Sequence, residues 1–253
     1  MRKRMAFVVL ATAAAGIGAL VAPAAQADGS GDTALGEVTV SGGDLVVGTT
    51  KAKTFQVAVT ASDDSGIKSA EIYLDGPSYG YLSPTGPVKC VASATDAHTS
   101  TCTASFTVDP RVDFIDNAPA GTWYANVWVD ANDDDYVTTE KAASFTVRRA
   151  SKLTVNAAPE PVRKGRTITV TGALTRANWE TAAYAGYTVQ PVTLEFRKKS
   201  GTGYTAVKTV KSGGGGALKT TVTAAEDGYF RWNFAGNGTT PPVKSTADFV
   251  DVQ

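Results

Sequence analysis

Apolar and polar residues alternate along most of the chain after residue 37, with the two-residue side-chain period of half-buried β-strands. Val38 and Val40 predict an opening strand. Phe55, Val57 and Val59, alternating with Thr54, Gln56, Ala58 and Thr60, predict the next. Ala70, Ile72 and Leu74 mark a third, and the run from Cys102 to Val108 a later one. Trp123, Ala125, Val127 and Val129 form one face of a further strand, whose other face is Tyr124, Asn126 and Trp128. Phe145 and Val147 close this half. Turn residues separate the runs, at Asp63 to Gly66, Asp75 to Pro77, Ser83 to Pro87 and Pro119 to Gly121.

The second half repeats the style. Leu153 and Val155 open it, and Ile168, Val170 and Leu174 alternate with Thr167, Thr169, Thr171 and Thr175. Val192, Leu194 and Phe196 follow, then Leu218 and Val222 after the Gly213–Gly216 run. Phe230, Trp232 and Phe234 come next, and Phe249, Val250 and Val252 finish. No amphipathic helical period appears after residue 27. About six or seven short strands per hundred residues is the arithmetic of an antiparallel β-sandwich. The sequence therefore predicts an all-β protein with one sandwich over 28–150 and a second over 151–253. Only Arg148 to Ser151 lies between them, too short for a loose tether.

The first 27 residues belong to neither body. A basic start, Arg2-Lys3-Arg4, precedes an uncharged run from Ala6 to Ala22, and Ala25-Gln26-Ala27 has the small-x-small pattern of an export cleavage site. Residues 1–27 thus read as a signal peptide, and the mature protein as secreted and extracellular without membrane insertion. Mature net charge is −3, which hides an asymmetry. Residues 28–150 carry eight basic and seventeen acidic side chains, a net of −9, and residues 151–253 thirteen and seven, a net of +6. Such a split suits domain docking or partners of opposite charge. The basic half lacks a dense Lys/Arg stripe, so nucleic acid is not an expected partner. Cys90 and Cys102 are the only cysteines, and in an exported chain they read as one structural disulfide.

The segment Thr60-Ala-Ser-Asp-Asp-Ser-Gly-Ile67 resembles the opening of many bacterial immunoglobulin (Ig)-like modules. The stretch from Ser151-Lys-Leu-Thr-Val155 through Val192-Thr-Leu-Glu-Phe-Arg-Lys-Lys199 and Asp227-Gly-Tyr-Phe-Arg-Trp232 to Asp248-Phe-Val-Asp-Val252 resembles secreted actinobacterial tandem Ig-like proteins of unknown function, some of which are labelled calcium-binding. That resemblance implies an extracellular Ig-like tandem and calcium as a ligand to test. It brings no catalytic residue with it.

Asp130, Asn132 and Asp134 occupy the first, third and fifth positions of a D-x-[DN]-x-[DN] calcium pattern. The sixth position is Asp135 rather than Gly and the twelfth is Lys141 rather than Glu, so an EF-hand is rejected. An Ig-type site survives. With strand B at 54–60 and strand F at 123–130, the B–C loop holding Asp63 and Asp64 shares one end of the sandwich with the F–G loop holding Asp130, Asn132, Asp133, Asp134 and Asp135. Calcium takes six to eight oxygens, and two such loops can supply them. The alternative is a solvated acidic turn.

A second candidate group is aromatic. Tyr124 and Trp128, together with Trp179, Tyr184 and Tyr187 in what reads as a long loop, are rings that can stack on a glycan or grip a protein. Their alternative role is to cap a sandwich end or fill the domain contact. Catalytic residues are not expected. His98 stands alone in a polar loop, no G-x-S-x-G occurs, and the S-x-x-K match at Ser65–Lys68 lies on a turn without its companion motifs. The expected function is a non-enzymatic structural or binding module, stiffened by calcium. The competing class is a secreted ligand-binder or protease inhibitor using the Cys90–Cys102 hairpin or the Trp179 loop.

Overall fold

The computed structural model describes residues 27–253, so the proposed signal peptide lies almost wholly outside the described residues. Among the described residues there is no α-helix. The first domain contains β1 (Ala27–Ser30), β2 (Ala34–Val40), β3 (Leu45–Val47), β4 (Lys53–Ser62) and β5 (Ile67–Asp75). It continues with β6 (Tyr81–Leu82), β7 (Lys89–Ala92), β8 (Thr99–Val108), β9 (Gly121–Ala131) and β10 (Tyr136–Arg149). One sheet has the order β2-β4-β8-β7. The other runs β1-β10-β9-β5-β6, with β3 added parallel to β10. With β4 as B, β5 as C, β9 as F and β10 as G, this is the A-B-E-D against G-F-C arrangement of an Ig-like sandwich.

The alternation seen in the sequence creates the core. Phe55, Val57 and Val59 of β4 are buried opposite Phe106, Ala104 and Cys102 of β8, and Ala61 is buried opposite Ser100. Across the sandwich, β9 buries Trp123, Ala125, Val127 and Val129. The Trp123 indole is fully enclosed, and its N–H donates to the Pro119 carbonyl at 2.8 Å. Gly76 lies against that ring, where any Cβ would overlap it. Cys90 and Cys102 are direct cross-strand partners on β7 and β8 and form the disulfide. Closing that short loop contributes about 3 kcal/mol in the chain-entropy picture.

The second domain is built from β11 (Ser151–Leu153), β12 (Asn156–Ala158), β13 (Thr167–Asn178), β14 (Ala183–Gly186) and β15 (Pro191–Lys198). It ends with β16 (Thr205–Lys211), β17 (Ala217–Thr223), β18 (Gly228–Phe234), β19 (Val243–Lys244) and β20 (Asp248–Val250). Strand β13 pairs with β11, β12, β14 and β17, while β16-β15-β18 forms the facing sheet with β19 and β20 on β18. Ile168, Val170, Leu174, Leu194, Trp232 and Phe234 fill the space between them.

A single residue, Ala150, separates β10 from β11. Its N–H donates to Val47 at 2.9 Å, and its carbonyl accepts from Ala177 at 2.7 Å, so the chain is clamped from both sides as it crosses. Arg149 is buried here and donates from Nε to the Ala177 carbonyl at 2.6 Å. Burial, reinforced by neighbouring Arg176, lowers its guanidinium pKa to about 10.

The segment expected to be a long aromatic loop is instead the end of β13 and a hairpin to β14. Trp179 leaves the second domain and enters the core of the first, where it is 2% exposed. Its ring stacks on Phe114 at 4.3 Å, and its N–H donates to the Gly48 carbonyl at 3.0 Å. Asn117 Nδ2 donates to Asn178 at 2.8 Å, and Asn117 Oδ1 accepts from the Trp179 backbone at 2.9 Å. This corrects the expectation of an exposed Trp179: the ring plugs the domain junction and has no face left for a ligand. Tyr184 lies beneath Lys152 at 3.8 Å, and Tyr187 beneath Arg176 at 3.7 Å. Tyr184 packs against the first core beside Gly48, whereas Tyr187 packs against the core of the second domain.

Trp179→Ala is expected to cost about 3–5 kcal/mol, the usual range for deleting a buried indole. Denaturant unfolding followed by fluorescence should show that loss, with the two domains melting as separate transitions. One unchanged transition would contradict the plug.

Candidate metal site at the acidic tip

Three segments meet at the end of the first sandwich farthest along β4 and β9. The turn between β4 and β5 is organised by Asp63, a carboxylate only 3% exposed. Its Oδ1 accepts from the Ser65 amide at 2.8 Å and from the Ser65 hydroxyl at 2.6 Å. Its Oδ2 accepts from the Thr33 hydroxyl at 2.6 Å, which ties in the segment between β1 and β2. The β9–β10 turn closes through Ala131 N–H to the Asp135 carbonyl at 2.8 Å, with Asp134 in the left-handed region at φ 70°.

The turns are stitched to one another. Asn132 donates its backbone N–H to Gly66 at 3.0 Å, and its side-chain amide to the carbonyls of Ser65 at 2.9 Å and Gly66 at 3.0 Å. On the third segment, Gly31 has φ +73° and lies against the Asp135 carboxylate, a place where a side chain would collide. The Ig-type loop pairing expected from the sequence is therefore present, with an N-terminal segment as a third wall.

This packing brings five carboxylates into two overlapping groups. Asp32, Asp63 and Asp135 have oxygens all within 4.8 Å of one another, as do Asp63, Asp64 and Asp133. Among the described residues no Lys or Arg forms an ion pair with any of the five. The Asp32 pKa is raised, chiefly by lost hydration and then by the charges of Asp64 and Asp63. Burial pushes Asp63 up as well, but the Ser65 and Thr33 donors outweigh it and hold the group below its ordinary value. Clustered hard oxygens carrying unrelieved negative charge can hold a metal ion.

No protein-family model matches the chain, and no curated protein matches it. Among solved structures the chain is similar to dimeric latent PorU from Porphyromonas gingivalis, at 16% identity and a TM-score of 0.30, covering 87% of this chain and 20% of that one. It is similar to three N-terminal domains of the outer capsid protein Hoc of bacteriophage RB49, at 9% identity and a TM-score of 0.33, covering 87% and 70%. It is also similar to the D00-D0 domain of intimin, at 12% identity and a TM-score of 0.27, covering 85% and 99%. The chain thus spans about a fifth of PorU. The Ig-like assignment rests on the sheet order itself.

The residues whose spacing suggested a calcium loop are not the ones that converge. Asp130 points along the sheet, accepting from Trp128 Nε1 at 2.7 Å and from the Ser69 hydroxyl at 3.0 Å. Asn132 is committed to the neighbouring turn, and Asp134 pairs with Lys68 in solvent at 3.2 Å. Asp63, Asp64, Asp133 and Asp135 do converge, joined by Asp32, which the sequence pattern did not mark. The Ser65–Lys68 motif assembles no nucleophile: Ser65 donates to Asp63, and Lys68 is on Asp134. His98 is exposed on its hairpin turn.

Of the predicted aromatic group, Tyr124 is half-buried, with Lys141 5.1 Å above its ring. Trp128 is 38% exposed, and its ring is stacked on Tyr136 at 4.8 Å. These rings stand on the outer face of the β9–β10 sheet, away from the junction that holds Trp179 and Tyr184.

Asp63→Asn is expected to destabilise the protein by about 1–3 kcal/mol, the cost of breaking a buried charge-assisted network. Because the folded-state pKa of Asp63 lies below its unfolded value, its contribution is complete above the ordinary aspartate range and fades as pH falls from that range through the lower folded-state value. Urea unfolding of both proteins between pH 7 and pH 2 should converge at the acid end; a gap constant with pH would contradict the assignment.

Proposed function

We propose that the chain is a secreted, non-enzymatic Ig-like binding module whose acidic tip takes up calcium and is stiffened by it. The convergence of Asp32, Asp63, Asp64, Asp133 and Asp135 from three segments without a basic partner supports this reading. A divalent cation relieves the mutual repulsion and fixes loops that otherwise rest on hydrogen bonds alone. Calcium suits a donor set of carboxylate oxygens with solvent access, whereas zinc prefers nitrogen and sulfur, and both cysteines are in the disulfide. The disulfide fits an oxidising, extracellular setting. The partner in this reading is an extracellular protein or glycan.

The competing inhibitor reading loses its Trp179 arm, since that ring is inside the domain junction. Its other arm, the β7–β8 hairpin, keeps an exposed Val91 beside the disulfide. Its turn is capped by Asp96, which accepts from the His98 amide at 3.0 Å and the Thr99 hydroxyl at 2.7 Å.

Thermal melting with calcium and with chelator tests the proposal. Calcium at a hundred times its Kd should add about 2.7 kcal/mol of stability by mass action. Asp32→Asn with Asp135→Asn should abolish that gain, while Asp130→Asn with Asp134→Asn should leave most of it. NMR titration of the Asp32 carboxyl should show its raised pKa fall when calcium binds. Equal melts with calcium and chelator, or loss of the gain only in the Asp130/Asp134 pair, would overturn the proposal.

A further inference from the structure

Strand β5 is paired along its whole length on one side by β9. On its other side β6 covers only Leu74 and Asp75. Backbone groups of Ile67 to Tyr73 that face away from β9 therefore have no strand partner among the described residues. Beside this open edge runs a cleft of about 380 Å³, whose walls include Glu71, Tyr73, Tyr81, Ser83, Pro84 and Pro87.

Sheet edges are ordinarily blunted by lysines, bulges or prolines. Strand β16, the exposed edge of the second domain, carries Lys208 and Lys211. On β5 the protection is confined to the start, where a register irregularity falls between Ile67 and Ser69 and Lys68 is drawn off to Asp134. From Ala70 to Tyr73 the strand itself carries neither lysine nor proline; the Ser83–Val88 segment and β7 lie beside it, with the cleft between, and the prolines sit on that wall rather than on the strand.

The two faces of the edge differ in chemistry. Ala70 and Ile72 point into the sandwich and are buried, next to Pro87 and Val88. Glu71 and Tyr73 point outward, with Tyr81 6.2 Å from the Tyr73 ring and 57% exposed. Asp75 and Glu140 lie close enough to Tyr73 to help raise its hydroxyl pKa, after the larger effect of burial. The outward side is therefore acidic and aromatic, in a domain of net charge −9.

We propose that the open edge of β5 is a strand-addition site for an extended segment of a partner protein in which apolar residues alternate with Lys or Arg. Main-chain hydrogen bonds to residues 69–73 hold the added strand. Its inward side chains enter the cleft between the strand and the wall of Pro84 and Pro87. Its outward side chains meet Glu71, Tyr73 and Tyr81, where a cation gains both a carboxylate and ring faces. The inference rests on the binding-module reading but not on calcium.

The test uses the full mature chain and a labelled hexapeptide, Val-Lys-Val-Lys-Val-Lys, blocked at both ends, in calcium and again in EDTA. Saturable binding should shift backbone amide resonances within 67–73 and 83–88. Methylating the peptide nitrogens that face β5 should weaken binding by about tenfold or more, as expected for lost hydrogen bonds. Glu71→Lys, at an exposed position, should weaken it roughly five- to tenfold, and the Val-Glu hexapeptide should not bind. Binding that survives EDTA supports the edge site whatever the outcome for calcium. No saturable binding, indifference to N-methylation, shifts located elsewhere, or occupation of the cleft by chitohexaose in place of peptide would overturn the proposal.

Discussion

The acidic tip depends on one buried carboxylate. Asp63 has almost no access to water, yet it stays charged because three donors, from Ser65 and Thr33, replace its hydration. Those bonds hold the turn between β4 and β5 in the shape that lets Asn132 dock on it, and they draw in the segment carrying Asp32. A neutral isostere at this position can keep the volume but not the three acceptor bonds. The crowding of the other acids is a consequence: once the loops are tied to Asp63, Asp32, Asp64, Asp133 and Asp135 are brought close around it.

The second domain sets where that tip points. With Ala150 alone between the sandwiches and Trp179 inserted beside Phe114, the two bodies share part of one core. The arginines at the junction, Arg149 and Arg176, are held by backbone carbonyls, threonine hydroxyls and the Tyr187 ring rather than by carboxylates. The acidic half and the basic half therefore meet through packing and hydrogen bonds, not through the opposite net charges that the sequence displays. The open β5 edge and the acidic tip are both on the first domain, which joins the second through Ala150 and the inserted Trp179.

Much of this was legible in the sequence, for a physical reason. A sandwich strand with one wet face must alternate, so Phe55-Val57-Val59, Trp123-Ala125-Val127-Val129 and Phe230-Trp232-Phe234 announced both their strands and their buried faces. Strand β16 was silent because nearly all of its residues are exposed, which leaves no period to read. For Trp179 the sequence left two roles open, ligand contact or domain contact, because a large ring among Ala, Thr and Tyr fits both and its partner Phe114 is 65 positions away. At the tip, the sequence pointed to the two loops whose carboxylates meet, but Asp130, Asn132 and Asp134, the residues its spacing pattern emphasised, are not among the clustered ones. Spacing along a turn does not fix direction: Asp130 still belongs to its strand and points along the outer face, and Asp134 takes a left-handed backbone that aims it at Lys68. Asp32 lies before the first rhythmic strand, and only the fold brings it to Asp63.

Whether the acidic tip holds calcium can be seen in a crystal structure of residues 28–253 grown with calcium and again with a lanthanide in its place, using the anomalous signal to locate the ion. A single strong site is expected, bounded by Asp63 and at least two of Asp32, Asp64, Asp133 and Asp135, with oxygens at about 2.3–2.6 Å. An ion seated on Asp130 and Asp134, or a tip without an ion at saturating concentration, would contradict it.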